Sequence, residues 1–437
     1  MRRRLVFFLC LVSAVLLLTL MLASIGKRII ASGRIPPAAM ISGLSPIRDF
    51  VTVRSGVDSW APMLAALHQI EEHPDRSVYQ TIFFERHIKF QYPLSSLLPL
   101  WAAYRIGLSD NSILALLRVA TWIAVCIMAG VSAVIGVKLL KTFPAVTHLQ
   151  PLDKGAAIVG IVISCVLFYP FMRGYELGQA QTFLSMGFAI ALYFWMSGNY
   201  RVSGAIVGAL VLVKPQYALI LIWMILRKKT TAALAFLVCA AAGLLLSLVV
   251  FGWHQNMEYL RVLQSIGRQG ESFYANQSVN GILHRMFGNG ATLQFEEGSF
   301  APFNRLVYLG TLISSALILG VALFFPTGVS RGTAADFSSI GLAATMASPV
   351  AWDHHYGILF PIFIWLFFGP ETLRHSPLRT VALALAFILA SDCLNVTNLL
   401  AGVPGLNLVQ AYLFIAALVV FVLLATSSAM GGDEHRV

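Results

Sequence analysis

Apolar runs long enough to span a lipid bilayer dominate the chain, at 5–25, 112–137, 155–172, 180–197, 231–251, 306–325, 337–351, 356–369, 378–397 and 408–426. Crossing the hydrocarbon takes about 20 apolar helical residues. Inside it only helices and closed barrels satisfy the backbone. The runs are continuously apolar rather than alternating, which selects helices. Charged residues make up 11% of the chain, against about 25% in soluble domains. The sequence therefore reads as all-α: a polytopic integral membrane protein with a single transmembrane domain over 1–437.

Basic residues exceed acidic ones, 30 against 19. In a soluble chain that excess suggests nucleic acid. Here the basic residues fall at the ends of apolar runs, where they set topology, and no nucleic-acid partner is expected. Arg2, Arg3 and Arg4 place the start in the cytoplasm. Lys138, Lys141, Lys154, Arg201, the Arg227-Lys228-Lys229 triplet, Arg331, Arg374, Arg379 and the C-terminal Gly-Gly-Asp-Glu-His-Arg-Val join them there. The first run is long for a signal peptide and lacks a clear A-x-A site, so it reads as an uncleaved anchor. Over 202–226 a single span would leave either Arg201 or the triplet outside. Lys214-Pro215 breaks the helix. A short hairpin with an outward tip satisfies both ends, and a kinked single span is the alternative. The count closes at about twelve crossings. Two large external loops remain, 26–111 and 252–305, with interfacial helices over 61–70 and 93–106.

The polar motifs gather on the outer side. Residues 348–357 read Ser-Pro-Val-Ala-Trp-Asp-His-His-Tyr-Gly between two apolar runs, where ionisable groups mark a site or a pathway. Aromatics beside amides and carboxylates suit sugars: Trp60, Tyr92, Gln179, Gln181, Asn276, Asn280 and Trp352. Lys214, Arg173, His354 and His355 suit a phosphate. Transfer of a sugar from a lipid phosphate to a hydroxyl needs a base for the acceptor proton and cations for the leaving phosphate. Asp58 is the preferred base, with Asp49, Asp353 and Glu176 as rivals. Each feature also has a plain structural role open to it: the tryptophans as interface anchors, Arg173 with Glu176 as a helix-end pair, the asparagines as caps. Adjacent histidines diverge on a helix, and the spacing of three or four metal ligands is missing. The five cysteines form no CxxC pair. No metal or cofactor is expected.

In their order and spacing these motifs resemble a known family. They are Asp58 after the first span, Phe90-Gln91-Tyr92-Pro93, Gly178-Gln179-Ala180-Gln181, Gly208 through Lys214-Pro215, Asn276-Gln277-Ser278-Val279-Asn280-Gly281, and Ser348-Pro349-Val350-Ala351-Trp352-Asp353-His354-His355. The chain is similar to the bacterial polyprenyl-phosphate-mannose-dependent mannosyltransferases, glycosyltransferase family eighty-seven in the multispanning GT-C class. The resemblance implies a GT-C-type helical bundle in the bacterial inner membrane, with its active site facing the periplasm or exterior. It implies metal-independent, inverting transfer from a polyprenyl-phosphate-sugar donor to a lipid or glycan acceptor. Asp58 would be the base, with Lys214 and His355 near the lipid phosphate. Asp58-Ser59-Trp60-Ala61 and Tyr92-Pro93-Leu94 depart from the family's usual Asp-then-Val-Tyr and Tyr-Pro-Pro. A transporter or flippase is the competing class, since broken helices suit one. Against it stand the absence of an internal repeat and the one-sided clustering of polar groups. A polymerase or ligase for undecaprenyl-linked glycans shares the substrate class.

Overall fold

The computed structural model describes residues 2–33, 35–141, 150–325, 331–369, 376–403 and 405–426. Arg374 and the C-terminal stretch lie outside them. The first segment is α1 (Arg2–Ala31), followed by three short helices, α2 (Ser45–Val51), α3 (Trp60–Glu72) and α4 (Leu98–Arg105). Both expected interfacial stretches are thus helical. Next come α5 (Asp110–Lys141), α6 (Pro151–Leu167), α7 (Tyr169–Leu177), α8 (Gln181–Met196), α9 (Tyr200–Val211), α10 (Ala218–Leu226) and α11 (Thr230–Phe251). The second loop region carries α12 (Trp253–Gln269) and α13 (Val279–Met286). The chain closes with α14 (Arg305–Phe324), α15 (Ala334–Met346), α16 (Leu359–Phe368), α17 (Pro377–Ser391) and α18 (Tyr412–Ala425). Among the described residues no strand forms, and the protein is an all-α membrane bundle.

Burial sorts these helices. α15 and α16 are apolar and buried all round, so they form the centre. α11 and α14 leave most of their surface open, including Leu234, Leu245, Val249, Ile313 and Leu317. Exposed leucines in such numbers suit lipid rather than water. Among the described residues five helical segments are long and apolar enough to cross a membrane alone, the last being α18 with the turns before it (Leu406–Ala425), and α6 with α7, bent by 54°, makes a sixth. The other expected crossings are shorter apolar pieces, because polar motifs interrupt them. The α6–α7 bend falls at Phe168, whose extended backbone precedes Tyr169-Pro170, and it turns Arg173 inward.

The 202–226 stretch folds back on itself. α9 and α11 run parallel: Gly204 faces Ala232, Gly208 faces Phe236, and Leu212 meets Gly243. A Cβ on Gly204 would come 2.1 Å from the Ala232 carbonyl oxygen, so the small-xxx-small spacing lets two backbones touch. α10 must therefore return the chain. The Lys229 ammonium lies 4.2 Å from the Tyr200 ring centroid, which brings both ends of the hairpin together. The kinked single span is excluded. The hairpin is nevertheless short. α9 and α10 have 12 and 9 residues, or about 18 and 14 Å, against roughly 30 Å of hydrocarbon. The Lys214 tip is thus not at the outer surface as expected but inside the bundle, at the level of Gly243, while α11 continues to Phe251.

Four of the basic residues expected in the cytoplasm sit together at one end. Arg4 donates to the Gly369 carbonyl at 2.7 Å, and Lys138 Nζ to Ser197 Oγ at 2.6 Å. Trp195 Nε1 reaches the Gly332 carbonyl at 3.1 Å, beside Lys229. Arg227 is buried there against Asp336 at 2.6 Å.

Candidate active site

A cavity of about 1280 Å³ opens at the other end, between the hairpin tip and the two loop regions. Its walls hold Asp58, Tyr92, Arg173, Gln179, Lys214, Trp352, His354 and His355. Sequence distance between these residues runs to nearly 300 positions, and the helices bring them together.

Asp58 is placed by a clasp between two loops. The amides of Gly56, Asp58 and Ser59 donate to the carbonyls of Glu176, Leu177 and Gly178 at 2.7, 3.0 and 3.3 Å. The approach leaves no room for side chains at its centre: a Cβ on Gly178 would sit 2.0 Å from the Gly56 oxygen. Gly178 also has φ +70°, which glycine adopts freely. The next residue, Gln179, orients the carboxylate. Its Oε1 accepts from Ser59 Oγ at 2.7 Å and Tyr92 Oη at 3.2 Å. That fixes the amide so that Nε2 donates to Asp58 Oδ2. The other carboxylate oxygen has no hydrogen-bond partner among the described residues, and the residue is exposed to the cavity.

The rival carboxylates are engaged. Asp49 pairs with Arg48 at 2.9 Å, and Glu176 is held by Arg173. Asp353 accepts from the His354 amide at 2.7 Å, His354 Nδ1 at 3.3 Å and Tyr169 Oη at 3.5 Å. Burial would raise its carboxyl, but the His354 hydrogen bonds and charge, with Arg173, outweigh that and hold it below the usual range.

Lys214 has no carboxylate partner among the described residues. Its Nζ donates to Gln181 Oε1 at 2.7 Å, and Gln181 Nε2 donates to Ser185 Oγ at 3.3 Å. Gln181 is buried and lies behind the cavity wall, where it aims the lysine. His354 and His355 lie edge to face, 4.8 Å between centroids. Burial holds both below the ordinary imidazole range, His355 furthest, with the Lys214 charge adding to the effect. His355 Nδ1 is buried without a partner. A proton there would be an orphaned buried donor, so the neutral ring carries its proton on Nε2.

Asn276 and Asn280 do not line the cavity. Asn276 is a clamp: Nδ2 donates to the Glu271 and Pro349 carbonyls at 2.8 and 3.1 Å, and Oδ1 accepts from the Ala351 amide at 2.9 Å. With Ser278 Oγ on the Pro349 carbonyl at 2.9 Å, it fixes the backbone that presents Trp352 through His355. Asn280 caps the Glu271 amide at 3.1 Å and reaches Thr311 at 3.2 Å. Trp60 is also behind the wall, packed against Phe183. Gln181, expected with them to meet the sugar, is behind the wall as well, and the reason is common to all four. Each sits on a helix or loop whose inward face packs on protein.

Lys89 went unread in the sequence. It sits in the cavity wall, paired with Glu271 at 3.2 Å and lying over the rings of Phe295 and Phe300 at 4.4 and 4.6 Å. Its place beside the Phe90-Gln91-Tyr92-Pro93 motif was the available signal. Among the described residues no three His, Cys, Asp or Glu side chains are placed to share a metal ion.

Comparison with known proteins gives a family. Two relatives are each named polyprenol-phosphate-mannose-dependent alpha-(1-2)-phosphatidylinositol pentamannoside mannosyltransferase. One, from Mycobacterium tuberculosis (strain CDC 1551 / Oshkosh), is 26% identical over 209 residues, 47% of this chain and 44% of the relative. The other, from Mycolicibacterium smegmatis (strain ATCC 700084 / mc(2)155), is 25% identical over 204 residues, 46% of each. The chain thus matches less than half the length of either relative. No solved structure matches at a significant level. The family model for glycosyltransferase family 87 covers residues 92–349. That stretch includes Tyr92, Arg173, Gln179, Lys214 and the asparagine clamp, while Asp58 and residues 352–355 fall outside it. Matched over more than half its length, the chain belongs to glycosyltransferase family 87.

Proposed function

We propose that the protein is a membrane glycosyltransferase that moves a hexose, mannose by likeness to its relatives, from a polyprenyl-phosphate donor to a lipid-linked or glycan acceptor. One observation carries the reading. A single cavity holds an open carboxylate, Asp58, and a lysine without a carboxylate partner among the described residues, Lys214. A base and an anion site in one chamber are what a displacement at a glycosyl phosphate requires.

In the proposed step the acceptor oxygen bonds to the anomeric carbon as the bond from that carbon to the phosphate oxygen breaks. Asp58 takes the hydroxyl proton. The electron pair leaves with the lipid phosphate, whose oxygens meet Lys214 Nζ and the Nε2–H of His355, with His354 and Arg173 beside them. A single displacement inverts the anomeric centre and needs no covalent intermediate. Gln179 keeps the base aimed and Gln181 keeps Lys214 aimed. Trp60, Asn276 and Asn280 act from behind the wall, and Tyr92 and Trp352 face the sugars. The end that carries Arg4, Lys138, Arg227 and Lys229 sits opposite the cavity, and Lys and Arg in short loops between spans favour the cytoplasm. That supports an active site on the outer side of the bacterial inner membrane.

The test is direct. The full chain in nanodiscs is given polyprenyl-phosphate-mannose and a panel of lipid acceptors, with Asp58→Asn beside it. Product from the wild type and its loss in the variant are expected. No product from any lipid-linked sugar, with substrate counterflow across sealed vesicles instead, would make the protein a transporter.

A further inference from the structure

We propose that the mouth of the cavity carries a carbohydrate subsite, an aromatic platform of Phe273, Phe295 and Trp352 that seats a pyranose ring of the acceptor. The word acceptor rests on the transferase reading; the platform rests on its own geometry.

The three rings line one cavity and touch one another. Phe295 lies 5.6 Å from Phe273 and 5.7 Å from Trp352, and Phe273 lies 6.2 Å from Trp352, all tilted or edge-on. Phe295 stays 44% exposed, although it stands in the wall of a chamber rather than on an outer surface. The Lys89 ammonium sits 4.4 Å from its centroid. With Lys89, Phe273 and Trp352 against it, the ring still keeps surface open to the cavity.

The platform is held rigid from two sides. Lys89 ties the loop that carries Phe295 through the Glu296 carbonyl at 2.9 Å, and it is anchored in turn on Glu271. Trp352 is fixed by its backbone bridge to Asn276, and the Asp353 amide donates to the Ala275 carbonyl at 3.0 Å. Pre-organised aromatic surface binds without an ordering cost.

The chemistry of the surroundings selects a sugar over a lipid tail. Arg86, His87 and Glu297 line the same cavity, so the rings are bordered by charge. A pyranose presents C–H bonds on one face, which pack on an aromatic ring. Its edge presents hydroxyls, which a carboxylate or guanidinium receives. An isoprenoid chain offers nothing to such a border. Trp352 leads directly into Asp353-His354-His355, so a sugar on the platform borders the residues proposed to meet the phosphate.

The experiment uses the full chain in nanodiscs, free of glycoside detergents. Saturation-transfer NMR with methyl α-mannoside is expected to mark the ring C–H protons, with the signal falling several-fold in Phe295→Ala and retained in Phe295→Tyr. In turnover, Phe295→Ala is expected to raise the acceptor KM about tenfold, as for loss of one aromatic contact, with the donor KM unmoved. An unchanged saccharide signal in Phe295→Ala, or a donor KM that rises in place of the acceptor KM, overturns the proposal. So does saturation of the chain protons of dodecyl phosphate in place of the mannoside, which would make the wall a lipid site. Should the wild type transfer no sugar at all, the transferase reading falls while the mannoside spectrum still decides the platform.

Discussion

Two basic residues flank α10 and are treated in opposite ways. Arg227, just past its C-terminus, is closed off. Its Nε and Nη2 bond Asp336 at 2.6 and 3.2 Å, and its Nη1 bonds the Leu323 carbonyl at 2.9 Å. Asp336 is completed by Trp223 Nε1 at 2.9 Å and the Gly332 amide at 2.7 Å. Lys214, ahead of the N-terminus, has only the amide oxygen of Gln181. A buried charge is costly unless paired and hydrogen-bonded. That requirement is met at Arg227 and not at Lys214, where the proposed function puts the donor phosphate. The carboxylates divide the same way: Asp336 is saturated, while Asp58 keeps one oxygen free.

The largest expected effect falls on the open side. Asp58→Asn should cut transfer by about 10²–10⁴-fold, the usual worth of a general base, while thermal stability stays near wild type, because the side chain is exposed and Gln179 can bond an amide. Product formation from the lipid-linked sugar measures it. A variant with wild-type turnover would remove Asp58 as the base. Next is the closed side. Arg227→Ala should lose about 3–5 kcal/mol of stability by leaving the buried Asp336 carboxylate without its counter-charge, read from thermal or denaturant unfolding. A change in donor affinity without loss of stability would erase the contrast between the two ends of α10.

Lys214→Ala should do the reverse. Loss of a charge-assisted contact of about 1.5–3 kcal/mol corresponds to roughly 10–100-fold weaker donor binding, with stability unchanged or improved. Donor titration by calorimetry decides it, and unaltered affinity would make Lys214 structural.

The smallest effect concerns pH. Burial depresses the imidazoles of His354 and His355 in the folded protein. Between that lowered range and an ordinary value near 6.5, the unfolded chain binds protons that the folded chain does not, so stability falls as pH falls through this window. Each histidine contributes at most about 1.4 kcal/mol per pH unit. His355→Gln should flatten the acid limb of a melting-temperature profile; an equally steep limb in the variant would place the pH response elsewhere. His354 faces Asp353, Lys214 and Asp58, and His355 faces Lys214 and His354; a phosphate bound among them would raise the folded-state imidazoles toward their ordinary value, so it should flatten the same limb.

Much of this was legible before folding. Apolar runs announce helices because the bilayer interior admits little else. Basic residues at both ends of 202–226 announce a hairpin because a single span cannot satisfy them. The motif residues Asp58, Tyr92, Gln179, Lys214, Trp352, His354 and His355 do share one cavity. The misreadings have one cause. Asn276 and Asn280 carry the right atoms for a sugar, but those atoms are consumed by backbone groups. Trp60 has the right ring, but it faces Phe183. Nothing in Gln294-Phe295-Glu296-Glu297 hints at a platform, since that depends on a loop meeting Trp352 from another part of the chain.

The sequence by itself determined the solvent of this protein and its helices. These follow from composition and spacing, which are local. Tertiary structure alone decided how deep Lys214 lies, which oxygen of Asp58 stays free, and which polar side chains face the cavity rather than the wall. Those depend on hydrogen-bond partners brought from distant segments, and a partner's identity is not encoded near the residue it satisfies.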